Sequence, residues 1–215
     1  CNAVSWLEIG VPENSTCTLL PAQNDKPIVA YGTSIMHGAY ASRPGLGWTN
    51  ILGRKLNSKM INLGFSGNGQ LEPAMIDLIN EIDAKLYILD CMPNLWDKTK
   101  FSAEEIEKRM RHAQIEIHKK HPGVPIIFTE HCSGKDGINL DTVMAQKYIA
   151  VSKISAAVFK KMKKEGIKDI YELTASQIGF DTESTLDGTH PNDIGMMQYA
   201  NAYYQLITRK IGLSK

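Results

Sequence analysis

From residue 27 onward the chain alternates short β-rich runs with longer stretches of helical period, and this alternation limits the possible folds more than any other feature. Strands joined by helix-length crossovers pair in parallel, so the pattern predicts an α/β domain built around a parallel sheet. The strand runs are 27–32, 60–63, 85–91, 124–130 and 169–172. They are rich in Ile, Val, Leu and Tyr, as strands covered on both faces are, and five suffice for a full sheet.

The intervening helices show in apolar spacings of three and four. Trp48, Ile51, Leu52 and Leu56 make one stripe. Met75, Ile79 and Ile82 make another, after Pro73 in a first-turn position. Ile106, Met110, Ala113 and Ile117 follow a Ser102–Glu105 capping box. The longest stripe runs through Met144, Tyr148, Val151, Ser155, Val158 and Met162, closed by Gly166. The last carries Ile194, Met197, Ala200, Tyr204, Ile207 and Ile211 after Asn192, a good N-cap. Residues 1–25 hold one alternating run, 4–9, and read as a short β element with a linker, leaving 26–215 as the main domain.

At 215 residues the chain suits one mid-sized domain. A formal net charge of +1 gives no whole-chain field to attract phosphate backbones or anionic lipid, so nucleic acid is not an expected partner. No apolar run approaches the roughly 18 residues of a membrane span. The first residues lack the basic and apolar regions of a signal peptide. The four cysteines show no C-x-x-C spacing for zinc or redox chemistry, and a Cys1–Cys17 bridge would fit only an oxidising compartment.

In open parallel sheets ligands bind beyond the carboxyl ends of the strands, and those positions are polar here. Ser34 follows the first strand and His131 the fourth. Gly64-Phe65-Ser66-Gly67-Asn68-Gly69 follows the second and Met92-Pro93-Asn94 the third, while Asp187-Gly188-Thr189-His190-Pro191 precedes the last helix. A serine attacks only when a base takes its proton, and His190, whose side-chain type titrates near neutrality, is the candidate. The Asp-Gly-Thr-His spacing lets a tight turn return Asp187 to one ring nitrogen, leaving the other for Ser34. The N–H groups of Ser34 and Gly67 and the Asn94 amide are placed to receive an oxyanion.

These blocks resemble the SGNH or GDSL hydrolases. The family's Gly-Asp-Ser appears as Gly32-Thr33-Ser34, its Asn-x-x-x-x-Gly as Asn62 to Gly67, and its Asp-x-x-His-Pro as 187–191. The third block departs: Gly-x-Asn-Asp is replaced by Met92-Pro93-Asn94-Leu95. The resemblance covers about residues 27–212 and implies a three-layer α/β/α sandwich of flavodoxin-like type, with esterase or acylhydrolase activity. The catalytic residues would be Ser34, Asp187 and His190, with Ser34, Gly67 and Asn94 in the oxyanion hole and no metal or cofactor. The second and third blocks look like those of a bacterial subgroup with a small upstream β domain. Relatives act mostly on carbohydrate or other small esters and many are exported, which implies an extracytoplasmic location.

His37, Tyr40, Trp96 and His131 are further candidates for substrate contact; a stacked sugar ring and ordinary packing both suit Tyr40 and Trp96. Two rival uses fit the same blocks: a non-catalytic carbohydrate-binding module, and a lipase or thioesterase acting on longer acyl chains. The sequence lacks the second glycine of a G-x-S-x-G elbow and the glycine order of a dinucleotide loop.

Overall fold

The computed structural model describes residues 5–19, 21, 25–134 and 141–213. Five parallel strands, β1 (Ile28–Gly32), β2 (Met60–Gly64), β3 (Leu86–Asp90), β4 (Ile126–Thr129) and β5 (Ile170–Leu173), form one sheet in the order β2-β1-β3-β4-β5. The helices are α1 (Ser34–His37), α2 (Trp48–Leu56), α3 (Pro73–Ile79), α4 (Ala103–Lys120), α5 (Thr142–Lys164), α6 (Ala175–Ile178) and α7 (Asp193–Leu206).

Because side chains alternate along a strand, each strand feeds two cores. Ile28, Ala30 and Ile88 pack with Trp48 of α2 and Tyr199 and Tyr203 of α7. Val29, Tyr31, Leu89 and Phe128 pack on the opposite face with Ile76, Met110 and Val158 from α3, α4 and α5. The result is the expected three-layer α/β/α sandwich. Trp48 stacks on Tyr203 with centroids 4.4 Å apart, and both rings are fully buried. The chain leaves β1 toward β2 and later crosses back to β3 on the other side of β1. That reversal opens a crevice at the carboxyl ends of β1 and β3, where three loops meet.

Some local expectations change. Ser102 caps α4 by accepting from the Glu105 N–H, but Glu105 turns to the Arg109 guanidinium at 2.7 Å, so half of the expected box forms. In α7 the buried face is Met196, Tyr199, Ala200, Tyr203, Leu206 and Ile207, whereas Ile194 and Met197 of the expected stripe are exposed. This helix is apolar nearly all round, and Tyr203 buries because its hydroxyl reaches Asp90 and Thr129, so spacing alone left more than one face eligible. The described part of the expected N-terminal β element, residues 5–9, forms no strand and is exposed throughout.

Candidate active site

Ser34 opens the short turn α1 directly after β1. Thr33 caps it, its buried hydroxyl accepting from the Ile35 N–H at 3.3 Å, and Gly38 closes it at φ +89°. Asn62 of β2 braces the turn from below, its amide NH2 donating to the Met36 carbonyl and the Thr49 hydroxyl, both at 2.8 Å. The same side chain accepts from the Gly64 N–H at 2.9 Å, so one asparagine ties the serine turn to the loop after β2. The motif spacing marks Asn62 only as the start of a block; a polar side chain inside an apolar strand is the signal for this bracing role.

The Ser34 Oγ lies 2.8 Å from His190 Nε2, although 156 residues separate them in the chain. On the other side of the ring, His190 Nδ1 is 2.7 Å from Asp187 Oδ2. The remaining carboxylate oxygen, Oδ1, accepts from the backbone N–H of His190 at 2.7 Å and of Thr189 at 2.9 Å. Gly188, at φ +78°, makes the tight return. Partial burial disfavours the charged carboxylate, but the hydrogen bonds from the His190 backbone, the His190 ring and Thr189 outweigh it and hold Asp187 below the usual carboxylate range. An anionic Asp187 fixes the tautomer with hydrogen on Nδ1, which leaves Nε2 as an acceptor for the serine proton.

The loop after β2 closes on the first through glycines. A Cβ on Gly64 would lie 2.3 Å from the His37 nitrogen, and one on Gly69 only 1.9 Å from the Gly32 carbonyl oxygen. Phe65 N–H donates to that same carbonyl at 2.9 Å. At the far end of the loop, Arg109 donates to the Gln70 carbonyl at 2.8 Å. Gly67 sits at the exposed tip at φ +73° with nothing near its Cβ position. Asn94 ends a 3₁₀ turn, Met92–Asn94, after β3. In the orientation its neighbours satisfy, its amide carbonyl accepts from the N–H groups of Asn68 and Gly69, both at 3.2 Å.

The four further candidates separate. Tyr40 stands at the rim, half exposed at φ +66°, with its ring edge-on to His190 at 5.2 Å. His37 is exposed at the end of α1. Trp96 is partly buried under the Lys147 ammonium, 4.3 Å from the ring centroid, and with Lys98, Thr99 and Gln146 lines a cavity of about 370 Å³. His131 is a correction. It is fully buried against the Tyr148 ring, where it can touch no substrate, and burial together with nearby His190 pulls it down to about 3. Among the described residues, no cluster of three His, Cys, Asp or Glu side chains could hold a metal ion, and no helix is long and apolar enough to cross a membrane.

Comparison with known proteins agrees with the α/β fold. A protein from Bacteroides ovatus ATCC 8483 described as a GDSL-like lipase superposes with a TM-score of 0.73 at 33% identity, over 87% of this chain and 54% of its own. A family two carbohydrate esterase from Clostridium thermocellum, solved with cellohexaose, gives 0.68 at 14% identity over 91% and 68%. A family three carbohydrate esterase from Clostridium thermocellum gives 0.64 at 17% identity over 89% and 100%. The two low-identity matches speak to the fold alone, and the chain spans about half the length of the Bacteroides ovatus protein. None of the curated proteins is detectably similar in sequence. The model of the GDSL-like Lipase/Acylhydrolase family matches residues 25–208. The chain, with its motifs at the strand ends in that family's order, belongs to the GDSL-like lipase/acylhydrolase family.

Proposed function

We propose that the protein is a serine esterase that removes small acyl groups, acetyl groups on carbohydrates foremost, through an acyl-enzyme. The observation carrying this reading is the unbroken line from Ser34 Oγ through the His190 ring to Asp187 Oδ2, with links of 2.8 and 2.7 Å. Ser34 Oγ attacks the ester carbonyl while His190 Nε2 takes its proton, and Asp187 stabilises the imidazolium that forms. The carbonyl oxygen becomes an oxyanion facing the N–H groups of Ser34 and Gly67 and the Asn94 amide. Collapse breaks the C–O bond, and His190 returns the proton to the departing alcohol. Water then repeats the sequence, giving the acid and free Ser34. The carbohydrate assignment is supported by the resemblance in fold to the two Clostridium thermocellum carbohydrate esterases.

A fluorophosphonate probe followed by peptide mapping tests the chemistry, alongside hydrolysis of 4-nitrophenyl acetate. The adduct is expected on Ser34, with both labelling and turnover lost in Ser34→Ala. Acetate release from acetylated xylan, compared with longer acyl esters, tests the substrate class. Neither adduct nor turnover in the native chain would leave a non-catalytic binding module as the better reading.

A further inference from the structure

The turn carrying Asp187 and His190 is held from an unexpected direction. Between the two residues lie Gly188 and Thr189, and the carbonyl of each meets a buried donor from the segment after β4. Ser133 Oγ donates to the Gly188 carbonyl at 2.5 Å, and Cys132 Sγ lies 3.5 Å from the Thr189 carbonyl. The Thr189 hydroxyl in turn donates to Tyr148 of α5 at 3.2 Å. Cys132 and Ser133 are fully buried, and Tyr148 nearly so.

The donors are themselves fixed. The Ser133 N–H donates to His131 Nδ1 at 3.0 Å, which orients the 131–134 turn. His131 N–H reaches the Ser152 hydroxyl of α5 at 3.2 Å, and its ring lies on Tyr148 at 3.9 Å. Gly134 packs so closely that a Cβ there would sit 2.3 Å from Ser152 Oγ. With Nδ1 accepting, His131 is the neutral Nε2–H tautomer, so its ring makes no competing demand on the Ser133 N–H.

We propose that Ser133, seconded by Tyr148, is a positioning residue for the Asp187–His190 pair: the Ser133–Gly188 hydrogen bond sets the height and angle at which the imidazole meets Ser34. The proposal rests on the reading of Ser34, His190 and Asp187 as catalytic residues. Ser34 follows β1, beside the edge strand β2, whereas its base hangs from a turn whose buried supports come from the segment after β4 and from α5. A bond to the central peptide unit between acid and base, Gly188–Thr189, therefore constrains their geometry relative to each other and to the serine. Displacements near 1 Å are enough to cost about 10²-fold in rate, so losing the donor affects turnover more than binding.

The test compares wild type with Ser133→Ala and Tyr148→Phe. Three readings are taken on each: kcat and KM for 4-nitrophenyl acetate, the rate of fluorophosphonate labelling at Ser34, and the low-field proton resonance of His190 Nδ1 in its bond to Asp187. For Ser133→Ala we expect kcat and labelling rate to fall about 10- to 10²-fold, KM to change little, and the low-field proton to shift or broaden, with a smaller fall for Tyr148→Phe. Wild-type kcat and an unmoved proton in Ser133→Ala would overturn the proposal even if its Tm dropped, because a merely structural role lowers stability without touching the pair. Should Ser133→Ala not fold, Tyr148→Phe decides by the same readings. Failure to label Ser34 in wild type would instead overturn the catalytic reading itself, and this proposal with it.

Discussion

At Asn94 the two ends of one amide have different tasks. The carbonyl is committed to the Asn68 and Gly69 N–H groups, so the NH2 is the end left to face an oxyanion in the proposed mechanism. Asn94→Ala should then lower kcat by about 10²- to 10³-fold with little change in KM, measured on 4-nitrophenyl acetate. A loss under about tenfold would remove the residue from the oxyanion hole. The pairing of Asp187 with His190 was legible because they stand three positions apart across a glycine turn. Ser34 was legible by its place after the first strand. The burial of His131 was not, since its position after β4 suits an exposed rim residue equally well. What decides it is the packing of α5 through Tyr148 and Ser152, a long-range contact that no spacing encodes.

Among the elements, the loop after β2 fits the serine turn through absent side chains. Gly64→Ala and Gly69→Ala force a Cβ into backbone of the first loop or strand and should each cost about 3 kcal/mol or more in urea unfolding, with activity falling as the Ser34 turn moves. Gly67→Ala meets open space and should cost only about 1–2 kcal/mol, from its positive φ. Losses at Gly64 and Gly69 no larger than at Gly67 would show that close approach does not govern this loop. The strands were readable because runs covered on both faces have little choice of residue. Helix α7 was less so: tyrosine is both apolar and polar, and the side that buries is chosen by where Asp90 and Thr129 wait for a hydroxyl.

For the molecule as a whole, Asp90 couples stability to pH. It lies fully buried at the end of β3, with one oxygen accepting from Tyr203 at 3.2 Å and the other without a partner, and burial pushes its carboxyl up to about 7 despite the Tyr203 bond. The folded state therefore binds a proton that the unfolded state releases near pH 4. Stability from this group is lost as pH rises from about 4 to about 7, by something on the order of 4 kcal/mol. Asp90→Asn removes that dependence: relative to wild type its unfolding free energy should rise between about pH 4 and 7 and level off above, whatever the offset at the acid end. Parallel curves for the two proteins would show that Asp90 is not the titrating group. The α/β class and the five strands followed from the alternation of periods along the chain, whereas this buried acid did not, because Leu-Asp-Cys at a strand end looks the same whether the carboxyl faces water or the core.

The meeting of Ser34 with His190 across 156 residues has a consequence for biosynthesis. The proposed nucleophile is made directly after β1 and its base only after β5, just ahead of α7. A nascent polypeptide can have all five strands made and still be chemically silent, because the segment that brings the base to Ser34 follows the whole sheet.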